Sequence, residues 1–300
     1  METILKTKNI TKQYGSKKAV DGINMTINRG EIYGFIGKNG AGKTTFMRVV
    51  LGLTNATGGS IELFDGKSIN DVGLKIGSLI EAPGFYKNCT AYENLKRFSL
   101  LYGADATKIN DILKFVGLSK TGKKKVKDFS LGMRQRLGIA LALLNEPEFL
   151  VLDEPINGLD PAGIKEIRDL ILKLNKEKNI TFLISSHLLD ELAKVVTKYG
   201  IIDNGKLIEE VSLDELMQRC SNKLVIKTSD NKTSIKMITK EFNIKDIQDK
   251  DNKLFITSHL KEAANINRLL VQNGIDVSEL YIKTDSLEDY FMRKIGDQSE

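Results

Sequence analysis

Gly37-Lys38-Asn39-Gly40-Ala41-Gly42-Lys43-Thr44 is the stretch of this chain whose residue types and spacing point most directly to chemistry. It satisfies the pattern G-x-x-x-x-G-K-[ST], in which glycines let backbone N–H groups turn inward around a polyphosphate. Lys43 would reach the β- and γ-phosphates as a point charge, and the Thr44 hydroxyl would ligate Mg²⁺. Before the loop, Ile32 to Ile36 is nearly all apolar, as a buried strand is. After Thr45, the residues Phe46, Met47, Val49, Val50 and Leu53 mark a helix. A helix opening there adds its positive dipole end to an anion site. The competing reading is a glycine-rich turn that binds nothing, and it does not account for this strand-turn-helix setting.

A carboxylate pair belongs to the same chemistry. Phe149 to Leu152 reads as a buried strand, and Asp153-Glu154 sits at its carboxyl end, where parallel sheets bind ligands. Asp153 suits the Mg²⁺ shell, and Glu154 suits a general base that polarises an attacking water. His187 follows a strand at 180 to 185, so it would emerge on the same edge and donate a hydrogen bond to the γ-phosphate. A histidine after a strand also has a plain structural reading, and His259, much later, has only that one.

These residues need a scaffold, and the pattern along the chain supplies one. Residues 4 to 10 and 23 to 27 alternate apolar with polar, as half-exposed antiparallel strands do. From about 87 to 145 the spacing turns helical, with Tyr92, Leu95, Phe98 and Leu101, then Ile109, Ile112, Leu113 and Val116. Strands return at 149 to 152, 180 to 185 and 201 to 203, separated by helices at 161 to 177 and 188 to 198. This alternation implies a parallel sheet flanked by helices. Asp160-Pro161 offers an N-cap and a first-turn proline, and Ser212 with Glu215 a capping box. Beyond about 220, strands at 224 to 227, 254 to 257 and 280 to 282 interleave with helices at 260 to 273 and 285 to 295. The expected domains are therefore residues 1 to 219, with a helical part at about 87 to 145, and a small α+β domain at 220 to 300.

Composition narrows the class. The 300 residues are 28% charged, and the longest apolar runs fall far short of the roughly 20 residues of a membrane helix. Met1 to Thr11 alternates polar and apolar rather than following the order of a secretion signal, so a cytoplasmic chain is expected. Cys89 and Cys220 lack metal-ligand neighbours and read as free thiols. The net charge of +6 could serve a nucleic acid, but the dense run Lys123 to Lys125 has no interleaved aromatics, and a solvated basic surface is the simpler account.

In order and spacing these segments resemble the ABC ATPase family over about residues 4 to 219. Phe129-Ser130-Leu131-Gly132-Met133-Arg134-Gln135-Arg136 is similar to the family signature Leu-Ser-Gly-Gly-Gln and its basic continuation. Asp153-Glu154-Pro155, Asn157-Gly158-Leu159-Asp160 and Ser186-His187 resemble the segments that follow it. The resemblance implies an α/β P-loop NTPase fold with a mixed sheet, an antiparallel β subdomain and a helical subdomain. It also implies that Tyr14 stacks on adenine. Ser130 and Gly132 would hold the γ-phosphate bound by a second copy in a head-to-tail, ATP-dependent dimer, with Asp160 at its seam. Three positions depart from the family: Leu131 and Met133 stand where it has Gly and Gln, and Glu81 where it usually has Gln. That glutamate would lie near the nucleotide and Mg²⁺ as an acceptor only. Glu81, the run Ala82 to Tyr86 and the ending Ser286 to Phe291 resemble the bacitracin and lantibiotic immunity subgroup. The resemblance thus implies ATP hydrolysis driving export of a peptide antibiotic through separate permease subunits, at the inner face of the membrane.

Two other functions compete. A soluble ATPase acting on DNA or ribosomes would suit the basic charge, but DNA-repair members of the family usually carry a long coiled coil and ribosome-binding members two ATPase halves, and this sequence has neither a sustained heptad run nor a second phosphate loop. A non-hydrolysing ATP-gated switch would exploit Glu81 and the altered signature, but Lys43, Glu154 and His187 are all in place for turnover.

Overall fold

The computed structural model describes residues 2–81, 84–220, 222–284 and 287–296. Ala82 and Pro83 of the antibiotic-subgroup run, and Ser286 of its ending, lie outside the described residues. The chain divides into two compact units, Met1–Leu213 and Asp214–Glu300. The helix Leu213–Arg219 therefore falls almost wholly in the second unit, although the sequence pattern places it at the end of the first.

The first unit opens with two long strands, β1 (Thr3–Tyr14) and β2 (Lys17–Asn28), then the short buried β3 (Ile32–Ile36) and helix α1 (Lys43–Val50). After these come β4 (Gly58–Leu63), α2 (Ile69–Val72) and β5 (Ile76–Leu79). Three helices follow without a strand, α3 (Ala91–Tyr102), α4 (Ile109–Phe115) and α5 (Leu131–Ala142), and they form the helical subdomain. The chain then alternates through β6 (Phe149–Asp153), α6 (Pro161–Lys178), β7 (Thr181–Ser186), α7 (Leu189–Leu192), β8 (Lys198–Asp203) and β9 (Lys206–Ser212).

Two sheets result. The order β2-β1-β4 is antiparallel, and the order β5-β6-β7-β3-β8-β9 is parallel except for its last strand. Strands buried on both faces read as continuous apolar runs, and β3, with β6 as far as Leu152, is such a strand. Helix α1 contacts β1, β2 and β6 and buries Phe46, Met47, Val49 and Val50, so its apolar face joins the two sheets in one core with Phe35, Phe149 and Leu183. Phe35 and Phe46 meet with ring centroids 5.1 Å apart. Each such side chain contributes about 1.5–3 kcal/mol by burial. That packing fixes where the helix begins, and so where the phosphate loop ends. At the foot of β6, Glu148 accepts from Lys75 and from Arg29, each at 2.6 Å, and these cations hold its carboxyl below the usual range.

Two expectations need correction. The helix at 188 to 198 is only Leu189–Leu192, because the chain must straighten for β8 to pair with β3: Thr197 N donates to Ile32 O at 2.9 Å. The face that α3 buries is Ala91, Asn94, Leu95 and Ser99, whereas Tyr92 and Leu101 of the apolar stripe are exposed. Strands β4 and β9 carry too little apolar alternation to be read from sequence.

The second unit runs α8 (Leu213–Arg219), β10 (Asn222–Thr228), α9 (Asn231–Phe242), β11 (Ile247–Lys250), β12 (Lys253–Ile256), α10 (Ala263–Gln272), β13 (Val277–Thr284) and α11 (Leu287–Gly296). From β10 to β13 this is a βαββαβ unit whose all-antiparallel sheet has the order β11-β12-β10-β13, the split-βαβ or ferredoxin-like arrangement. Leu224, Ile226, Leu254 and Ile256 of the sheet share a core with Ile238 of α9 and Ile266 and Leu270 of α10. Cys89 is half-buried and Cys220 buried, and neither is in a disulfide among the described residues.

Candidate functional site

The loop between β3 and α1 is shaped by glycines that nothing else can replace. Gly42 has φ 109°, and a Cβ there would lie 2.3 Å from the Ala19 carbonyl oxygen. Gly37 would press a Cβ to 2.4 Å from the Ile202 carbonyl oxygen. Lys43, at the first turn of α1, is 5% exposed and donates from Nζ to the Gly37 oxygen at 2.6 Å. A lysine curled inside its own loop is poised to meet phosphate oxygens.

The ends of β6 and β7 complete the site from the neighbouring strands. Thr44 Oγ1 donates to Asp153 Oδ2 at 2.7 Å, so helix start and strand end share one bond. Ser185 Oγ donates to Asp153 Oδ1 at 2.5 Å and accepts from the Glu154 backbone N–H at 2.9 Å. Glu154 sits at φ 49°, a left-handed conformation that costs a non-glycine residue about 1 kcal/mol or more. Its carboxylate lies between two partners: His187 Nδ1 is 2.9 Å from Oε2, and Lys43 Nζ is 3.2 Å from Oε1. The lysine is close enough for an ion pair but misaligned for a hydrogen bond, so Oε1 is buried and lacks a hydrogen-bond partner. An orphaned acceptor of this kind is where a donor from substrate or water fits.

A cleft of about 530 Å³ opens over the loop, lined by Tyr14, Lys17, Lys18, Ala19, Lys38, Asn39, Gly40, Gly42, Lys43, Thr44, Thr45, Glu154, Asn204 and Gly205. Four lysines against one glutamate suit a polyanion. Tyr14 is half exposed, with Lys12 Nζ 4.9 Å from its ring centroid, and offers a face for stacking. Among the described residues no three His, Cys, Asp or Glu side chains gather as a metal cage. One carboxylate and one hydroxyl, Asp153 and Thr44, nevertheless fit Mg²⁺, which is held by one or two protein oxygens and takes its other ligands from phosphates and water.

The remaining predicted residues lie elsewhere. Gly37 and Ala41 are buried within the loop itself. Ser130 caps α5, accepting from Met133 N–H at 3.2 Å, and with Gly132 it stands outside the cleft lining. Leu131, at the signature's unusual position, packs toward Gly158, where an added Cβ would meet it at 3.3 Å. Asp160 caps α6 by accepting from Gly163 N–H at 3.0 Å. Glu81 is not gathered into the site: it has φ 59°, its side chain is 63% exposed, and Arg48 Nη2 holds it at 2.5 Å. Sequence reasoning missed Ser185, Arg48, and Lys17 and Lys18 at the start of β2. Ser185 did carry a signal, as a polar residue in the apolar run of β7, where every residue is buried.

A two-sheet α/β core with a helical insert, a glycine loop before α1 and a carboxylate pair after β6 defines a nucleotide-hydrolysing cassette. Comparison with known proteins agrees: residues 20–157 match the ABC transporter family. The chain is 48% identical to the bacitracin transport ATP-binding protein BcrA of Bacillus licheniformis, across 99% of this chain and 98% of that protein. It is 45% identical to the lantibiotic transport ATP-binding protein SrtF of Streptococcus pyogenes, across 70% of this chain and 92% of SrtF. MJ0796, a bacterial ABC transporter cassette solved as a dimer, superposes with a TM-score of 0.63 at 25% identity, across 70% of this chain and 99% of that one. The chain belongs to the ATP-binding proteins of ABC transporters. Within them it falls in the bacitracin and lantibiotic transport subgroup, and it is an ATPase.

Proposed function

We propose that this chain hydrolyses ATP to drive export of a peptide antibiotic, of the bacitracin or lantibiotic kind, through separate permease subunits. The observation that carries hydrolysis is Glu154, whose carboxylate is fixed between Lys43 and His187 with one buried oxygen left unbonded. In the reaction that oxygen takes a proton from water as the water attacks the γ-phosphorus, the bond to the β-phosphate oxygen breaks, and ADP and phosphate leave. Lys43 neutralises the phosphates, and their charge draws it from Glu154, which frees the base. His187 orients the carboxylate and donates to the γ-phosphate, while Tyr14 stacks on the adenine. Asp153 and Thr44 would hold Mg²⁺, which would offset the charge of the phosphates; Ser185 keeps Asp153 and Glu154 in place.

Ser130 and Gly132 stand apart from the cleft at the start of α5, where N–H groups favour anions. They would complete the site of a second copy in a head-to-tail dimer, as befits a relative of the dimeric MJ0796 cassette. Glu81 would have to leave Arg48 to reach the nucleotide. Export and permease partnership are supported by the likeness to BcrA and by exposed apolar residues, Leu100 at 75% and Leu101 at 73%, at the end of α3. Among the described residues no helix is long and apolar enough to cross a membrane. The proposed place, the cytoplasmic face and bound to permeases, rests on the likeness to transport ATP-binding proteins.

The test is to express the chain with its candidate permeases in a bacitracin-sensitive host. A rise in the inhibitory bacitracin concentration that vanishes with Glu154→Gln supports the proposal. Unchanged sensitivity, with ATPase subunit and permeases co-purifying from membranes, would refute the cargo.

A further inference from the structure

The sheet of the second unit has two edges of different character. At one end β11 is four residues long and exposes Gln248, Asp249 and Lys250, a short charged edge of the kind that resists pairing. At the other end β13 is eight residues long, contains no proline and, among the described residues, pairs with β10 alone. Its register runs without a shift from Lys227↔Glu279 to Asn222↔Thr284. Every second residue of such a strand turns its N–H and C=O away from the neighbour it has. Beside that open edge stand Tyr281, 43% exposed, and Ile282, 52% exposed.

We infer that β13 is a docking edge for β13 of a second copy of this chain, paired antiparallel about a twofold axis through Tyr281. The strand is self-complementary about that residue. Antiparallel pairing centred there sets Glu279 opposite Lys283 of the second copy, Leu280 opposite its Ile282, and Tyr281 opposite its Tyr281. Directly opposed residues share a face, so the charged and aromatic pairs line one side of the joined sheet and the apolar pairs the other. Centring on Leu280 would oppose Lys283 with Val277, and centring on Ile282 would oppose it with Tyr281. Both shifts leave Glu279 without a basic residue across the seam. Within one chain Glu279 accepts from Lys253 at 2.6 Å and lies 3.5 Å from Lys227, both on inner strands, and Lys283 lies 3.8 Å from Asp289, so pairing must extend these ion pairs across the seam. A twofold contact of one patch with itself closes on a dimer. It joins two four-stranded sheets into one and requires no nucleotide, so it stands independently of the proposed ATP-dependent dimer.

The test uses the full chain, nucleotide-free and with chelator present. Tyr281→Cys should give a disulfide-linked dimer on mild oxidation, because position 281 faces itself. Ser278→Cys, which faces Thr284 of the second copy, and the unaltered chain with Cys89 and Cys220 should not. In sedimentation the unaltered chain should run at twice the chain mass, and Lys283→Glu, which opposes two carboxylates, should weaken association by about fivefold or more. A monomeric unaltered chain, equal cross-linking at positions 278 and 281, or association indifferent to Lys283→Glu would each overturn the inference.

Discussion

Replacing Ser185 by alanine would test the architecture of the site more sharply than removing any group that touches nucleotide. Its hydroxyl is fully buried, donates to the Asp153 carboxylate and accepts from the Glu154 N–H. A hydrogen bond to a charged group is worth about 1.5–3 kcal/mol and a neutral one about 0.5–1.5, so the substitution removes roughly 2–4 kcal/mol of local order. Some of this appears as lost stability. The rest appears in turnover, because Asp153 and Glu154 lose the link that spaces the proposed metal ligand from the proposed base. A share of about 1.4–2.7 kcal/mol lowers kcat about 10- to 100-fold. The assay is steady-state phosphate release at saturating Mg²⁺ and ATP, alongside ATP affinity and thermal unfolding. ATP affinity should stay within a few-fold, since Ser185 does not line the cleft. A lowered melting temperature with kcat within twofold of the unaltered chain would refute a positioning role and leave Ser185 as structure only.

Glu154→Gln should slow phosphate release by about 100-fold or more while an ATP-bound dimer accumulates; equally slow release by the unaltered chain would remove Glu154 as the base. Gly42→Ala should abolish ATP binding, measured by titration calorimetry, because φ 109° and the 2.3 Å approach to Ala19 O leave no space for a methyl group. In the second unit Asp246 accepts from Ser258 and Thr257, which hold its carboxyl at about 2 in the fold. A carboxyl lowered by folding contributes stability above its unfolded value, near 4, and loses it as pH falls from about 4 through 2. Because Asp246 is largely exposed, the loss should be no more than about 1 kcal/mol, and Asp246→Asn should remove it from acid-unfolding curves.

What could be read from the chain and what could not divide by the range of the interaction. The phosphate loop, the strand before it and the helix after it were legible because glycine spacing, an apolar run and helical periodicity are local properties. The carboxylates were legible for the same reason, since a buried run ending in Asp153-Glu154 declares both strand and edge. The helix at 188 to 198 was overstated because its local pattern lost to the pairing of β8 with β3, a contact with residues far away in sequence. The apolar stripe of α3 misled because spacing reports amphipathicity but does not say which face finds a partner.

By itself the sequence determined the nucleotide-binding family and the order of its candidate residues: the glycine loop with Lys43, then Asp153 and Glu154, then His187. Tertiary structure alone decided that Ser185 joins Asp153 to Glu154 and that Glu154 lies between Lys43 and His187. It also decided that Glu81 is held by Arg48 and that β13 ends up at a sheet edge. The physical reason is the same in each case. A hydrogen bond, an ion pair or an open strand edge depends on which elements become neighbours, and that follows from long-range packing of strands and helices that no local spacing records.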